Sequence, residues 1–162
     1  MPSFAEALQT GGIFYRLEAT DKESALRAVV ENLRLPDEVD REFLFRVLLA
    51  REALASTGIG GGVAIPHVRN PIVLHVARPT ITLCFFEKPI DFDAIDGQPV
   101  HALFSLISPT VRAHLHLLSR LAFALHDARF REVVSRQGSR EEILREVRRL
   151  EESLGKPVAV QE

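Results

Sequence analysis

Two runs of this chain, Thr80–Phe86 and Val100–Ile107, are apolar at nearly every position. A strand with one wet face alternates apolar and polar side chains; a strand without alternation has to be covered on both faces. The two runs therefore predict a sheet sandwiched between helices. Their apolar cores, Ile81–Phe86 and Ala102–Ile107, fall far short of the roughly 20 residues a helix needs to cross a bilayer.

The covering helices can be read from caps and periodicity. Ser3-Phe4-Ala5-Glu6 fits a capping box opening a short helix that ends at Gly11-Gly12. Ile13–Leu17 reads as a strand. Thr20-Asp21-Lys22-Glu23 is read as a second box, for a helix carrying Ala25, Leu26, Val29, Val30 and Leu33 at helical spacing and stopped by Pro36. A further helix from about Asp40 to Leu54 is expected to bury Phe43, Leu44, Val47 and Leu48. Val63–Ile65 is a short strand, and Asp91–Gly97 a polar turn between the two apolar strands. Helices are expected over Val111–His126 and Phe130–Arg136. Ser139-Arg140-Glu141-Glu142 opens a last one, reaching about Glu152. Helices on both sides of a small buried sheet make a three-layer α/β fold. With no repeat and no linker, residues 1–154 are expected to form a single domain, with a frayed tail over 155–162.

Charge and cysteine content narrow the chemistry. The net charge is −2, from 20 basic and 22 acidic residues among 162, which argues against nucleic acid as a main partner. Arg140, Arg145, Arg148 and Arg149 are interleaved with Glu141, Glu142, Glu146, Glu151 and Glu152, the pattern of a solvated helix face. One cysteine allows neither an internal disulfide nor a thiolate zinc site. The N-terminal residues lack a basic region followed by an apolar stretch, so a cytoplasmic location without membrane insertion is expected.

The chemically distinctive stretch is Ser56-Thr57-Gly58-Ile59-Gly60-Gly61-Gly62-Val63-Ala64-Ile65-Pro66-His67. Glycines let backbone N–H groups approach an anion, and a strand ending in proline fixes where the next side chain points. A neutral imidazole at His67 can attack phosphorus through one ring nitrogen while the other donates to a carbonyl. The plain alternative is a histidine that caps a strand. Arg51, sixteen residues earlier, offers a planar fork for a phosphoryl group, or simply a positive charge at a helix C-terminus. His114 shares a stripe with Leu118, Leu121 and Leu125, in the first turn of its helix, where the macrodipole favours an anion. A histidine on such a stripe is otherwise a core residue, and His116 falls on the other side with Arg120 and Phe123.

Competing chemistries lack their patterns. The glycine run has no trailing Gly-Lys-Ser/Thr, there is no His-Glu-x-x-His, and there is no Gly-x-Ser-x-Gly. His67 and His114 with a carboxylate are a weak zinc alternative. Cys84 reads as inert core, and His75, His101 and His126 as surface or strand-edge residues.

Arg51-Glu52-Ala53-Leu54, then Ser56-Thr57-Gly58-Ile59-Gly60 with Ala64-Ile65-Pro66-His67, resembles the enzyme IIA domains of the bacterial phosphoenolpyruvate-dependent phosphotransferase system. The branch is the fructose/mannitol type, including its nitrogen-regulatory members. His114-Leu115-His116-Leu117-Leu118-Ser119-Arg120-Leu121-Ala122 resembles that family's second histidine motif, and the similarity runs from about Ser3 to Glu152. The resemblance implies a mixed sheet with helices on both faces. It implies that His67 accepts a phosphoryl group from the histidine-containing phosphocarrier protein HPr, with His114 as auxiliary histidine and Arg51 as clamp. Ser56, Thr57, Gly58 and Gly60 would form the phosphate loop. No cofactor or metal is implied. The onward partner would be a IIB protein or a regulatory target, and self-association is left open. His67-Val68-Arg69-Asn70-Pro71 departs from the small, glycine-containing continuation usual in the family, which bears on partner choice. A second reading makes the chain a regulatory binding module whose contacts with a kinase, transporter or transcription regulator are toggled at His67.

Overall fold

The computed structural model describes residues 3–66 and 76–155. In chain order the elements are α1 (Phe4–Gly11), β1 (Ile13–Leu17), α2 (Lys22–Asn32), α3 (Arg41–Leu54), β2 (Gly58–Gly60), β3 (Val63–Ala64), β4 (Thr80–Ile90), β5 (Val100–Ile107), α4 (Val111–His126), α5 (Ala128–Ser135) and α6 (Arg140–Gly155). The strands form one sheet in the order β1-β4-β5-β3-β2. β1 is parallel to β4, β4 antiparallel to β5, β3 parallel to β5 and β2 antiparallel to β3, so the sheet is mixed.

The two apolar strands sit at the middle of this sheet and feed a core on each side. Ile81, Leu83 and Phe85 of β4, with Ala102, Phe104 and Leu106 of β5, pack against α1, α4, α5 and α6. Cys84 and Phe86, with Leu103 and Ile107, face the opposite way onto α2 and α3. The alternation is the period-2 geometry of a strand, and both of its phases are apolar here because both faces are covered. At β1 the phase slips. Arg16 has φ 59°, the pairing with β4 shifts between Phe14 and Leu17, and Ile13 and Leu17 end up in different cores.

Several boundaries differ from the sequence expectations. α2 is capped by Asp21 rather than Thr20: Asp21 Oδ1 accepts from Ser24 N at 2.8 Å, and Ser24 Oγ accepts in return from Asp21 N at 3.1 Å. The buried stripe of α3 is Leu44, Phe45 and Leu48; Phe43 is 45% exposed and Val47 only packs at its margin. Phe45 is covered on its other side by the Arg27 guanidinium, 4.0 Å from the ring centroid. β4 continues through Pro89 to Ile90, beyond the expected end at Phe86. α5 begins at Ala128, because Asp127 accepts from Phe130 N at 2.9 Å and caps it there. α6 runs through Gly155, and the expected tail beyond it lies outside the described residues. No helix among the described residues is long and apolar enough to cross a membrane.

Candidate functional site

The glycine run is a hairpin. Gly58 pairs with Ala64 and Gly60 with Val63, so the stretch expected as a loop contains β2. Gly60, Gly61 and Gly62 all have positive φ, at 95°, 65° and 80°. The turn needs glycine at Gly62 for a second reason: a Cβ there would lie 2.5 Å from the His101 ring. Asp96, from the β4–β5 connection, accepts from Gly61 N at 2.9 Å and from Gln98 N at 3.0 Å. Those two hydrogen bonds hold its carboxyl below the ordinary Asp value.

Ahead of the hairpin the chain is held by a buried carboxylate. Glu52, in the last turn of α3, is 5% exposed. It accepts from Thr57 N at 3.0 and 3.2 Å and from Thr57 Oγ1 at 2.5 Å. Lys22 Nζ lies 3.1 Å from Glu52 and 3.1 Å from Asp93. Burial works against the Lys22 charge, but the hydrogen bonds to both carboxylates outweigh it and raise its pKa. Ser56 Oγ donates to Phe92 O and accepts from Gly58 N. Thr57 O in turn accepts from Ile65 N at 2.9 Å. The amides of Thr57 and Gly58, two of the four residues of the expected phosphate loop (Ser56, Thr57, Gly58 and Gly60), thus have acceptors inside the protein, as does that of Gly61 beside them.

Arg51 stands in the last turn of α3, half-buried, and its Nη1 donates to Ala55 O at 2.9 Å. It therefore satisfies a carbonyl just past the helix end, and one of its five N–H donors serves that contact. His114 sits in the first turn of α4, capped by Thr110, and is 7% exposed. The buried face of α4 is Ala113, His114, Leu117, Leu121 and Ala124, so His114 points to the sheet side as its stripe implies. Leu118, one turn on, and Ile65, at the end of the hairpin, line the same groove of about 1010 Å³. The second turn of α4 and the end of the hairpin thus border a common groove.

His67 itself, with Val68, Arg69, Asn70, Pro71 and His75, lies outside the described residues, which reach Pro66 and resume at Val76. His101 is expected at the surface or at a strand edge. It is half-buried on β5, lines the groove, and burial holds its pKa below the ordinary value. His126 is exposed at the C-terminal end of α4 on the same groove. Cys84 is fully buried, and burial pushes its thiol up to about 12, as an inert core residue requires. Glu52 was missed by reading motifs alone. Its signal is spacing: Leu44, Leu48 and Glu52 recur every four residues, which places a carboxylate on a buried stripe just ahead of a threonine.

This fold and this set of side chains define a class. The chain belongs to the family described as phosphoenolpyruvate-dependent sugar phosphotransferase system, EIIA 2, matched over residues 6–149. It is 40% identical over 118 residues to the nitrogen regulatory protein of Escherichia coli (strain K12), covering 69% of each chain. The crystal structure of nitrogen regulatory protein IIA-Ntr from Neisseria meningitidis aligns with a TM-score of 0.76 at 32% identity, over 88% of this chain and 97% of that one. Mannitol enzyme IIA of Escherichia coli, solved in complex with phosphorylated mannitol enzyme IIB, shares the fold with a TM-score of 0.68 at 22% identity, over 84% of this chain and 93% of that one.

Proposed function

We propose that the protein is a phosphocarrier whose acceptor is His67, charged by phosphorylated HPr and read out by a IIB protein or through its phosphorylation state. The observation that carries this reading is the anchoring of the segment that precedes His67 in the chain: Thr57 O accepts from Ile65 N at 2.9 Å, and Thr57 is held by Glu52, next to Arg51 at the end of α3. Membership of the enzyme IIA family over residues 6–149 supports it.

In the transfer, a lone pair on one ring nitrogen of His67 attacks phosphorus, and a new P–N bond forms. The P–N bond to the donor's imidazole breaks in line, and that imidazole leaves with the bonding pair. Such a transfer asks for positioning and charge stabilisation rather than further covalent chemistry. Arg51 has donors beyond the one on Ala55 O for the equatorial oxygens. His114, at the N-terminal end of a helix, would add a hydrogen bond where the backbone dipole already favours negative charge. The likeness to proteins named nitrogen regulatory protein favours readout through phosphorylation state.

Incubation with phosphoenolpyruvate, enzyme I and HPr, followed by intact-mass analysis and mapping of the acid-labile phosphate, tests the assignment. Wild type gains one phosphoryl group at His67. His67→Ala gains none and keeps the wild-type circular dichroism spectrum. Normal labelling of His67→Ala overturns the reading.

A further inference from the structure

Resting on that reading, we propose that Glu52 is a positioning residue for transfer at His67, acting through Thr57 and Ile65. Glu52 accepts the Thr57 amide and hydroxyl, and the Thr57 carbonyl accepts Ile65 N at 2.9 Å, two residues ahead of the acceptor. Each link is a hydrogen bond of 3.0 Å or less, so little slack separates the α3 terminus from Ile65. The carboxylate is anchored from the opposite side as well. Lys22, at the first position of α2, bridges Glu52 to Asp93, whose φ of 52° marks a tight place in the β4–β5 connection.

Stability alone does not call for this arrangement. An ion pair as buried as Glu52 is weak evidence for stabilisation, since apolar packing of similar volume serves a core as well. What a hydrogen-bonded carboxylate supplies is direction: the Thr57 amide and hydroxyl and the Lys22 ammonium, distant in the chain, all meet it. Arg51 is the adjacent residue on the same helix turn, so the contact that fixes the strand also fixes the helix end carrying the guanidinium. A displacement on the order of 1 Å at a reacting group costs roughly a hundredfold in rate, and Glu52 sits where such a displacement would start.

The test is rapid-quench measurement of phosphoryl transfer from phosphorylated HPr to the full chain, over a range of donor concentrations, with intact-mass readout. Glu52→Gln, shown by circular dichroism to be folded, is expected to lower the rate at saturating donor about tenfold or more. The half-saturating donor concentration should stay within about twofold of wild type, because the residue is buried and meets no partner. Thr57→Val, which removes one donor to Glu52, should lose rate in the same way, and Thr57→Ser, which keeps it, should restore the wild-type rate. A folded Glu52→Gln protein transferring at the wild-type rate, or one changed only in half-saturation, overturns the inference. If Glu52→Gln does not fold, equal rates for Thr57→Val and Thr57→Ser overturn it instead. Absence of label at His67 in wild type removes the parent reading and this inference together; full labelling of wild type with an unaffected Glu52→Gln removes this inference alone.

Discussion

Arg51 shows how one side chain leaves room for two readings that look exclusive in a sequence. Its Nη1 contact to Ala55 O is what a cation at a helix C-terminus does, and the rest of the fork is what a phosphoryl group needs. Lysine could keep the charge but not the planar, two-pronged geometry. Arg51→Lys is expected to lower the transfer rate at saturating donor by about ten- to a hundredfold, equivalent to losing one charged hydrogen bond of roughly 1.5–3 kcal/mol. The same variant should melt within a degree or two of wild type, which calorimetry checks. His67, Arg51 and His114 were legible as candidates because their residue types stand out against their surroundings. Glu52 was not, because a carboxylate in an arginine- and glutamate-rich helix looks like surface until the fold shows it 5% exposed. His101, read as a surface or strand-edge residue, is half-buried on β5 with its ring close to Gly62 of the hairpin, a neighbour that only the fold supplies.

Elements announced by side-chain chemistry were legible almost to the residue. Ser3, Asp40, Thr110 and Ser139 lie just before α1, α3, α4 and α6, and each accepts a backbone N–H in the first turn of its helix. What the sequence hid was β2, whose three residues include two glycines, a residue that strands disfavour. It exists because the tight turn over Gly60, Gly61 and Gly62 brings it back along β3. The capping box of α6 makes a direct prediction. Glu142 accepts from Arg136 Nη2 at 2.5 Å and from Ser139 N at 3.1 Å, and these contacts, the arginine first, bring its carboxyl down from 4.5 to about 2. Between those values the unfolded chain binds a proton that the folded chain does not, so stability falls as pH falls. Urea unfolding of wild type and Glu142→Gln should show a difference that is constant near neutral pH. That difference should shrink steadily from about pH 4.5 to about pH 2, and less of it should survive in high salt.

At the scale of the molecule, the sheet acts as a partition. Each central strand sends alternate side chains to two clusters that share no residue, one against α1, α4, α5 and α6, the other against α2 and α3. The candidate site draws on both. His114 stands among the first cluster's helices, Arg51 and Glu52 extend from the second, and the hairpin splits its two strand residues, Val63 to one side and Ala64 to the other. A partition of close-packed strands should also separate the energetics, because substitutions without shared partners add while touching ones couple. Ile143→Val on α6 and Ile107→Val on β5 lie in different clusters, both about 1% exposed. Each should cost about 0.5–1.5 kcal/mol, and the double variant should equal their sum within about 0.5 kcal/mol. Ile81→Val and Leu106→Val stand directly opposite one another and share the first cluster, so their double variant should depart from additivity by about 0.5 kcal/mol or more. Chemical denaturation of the six variants and wild type measures both interaction energies. Equal coupling in the two pairs would mean that strain crosses the sheet, and that the two cores respond as one.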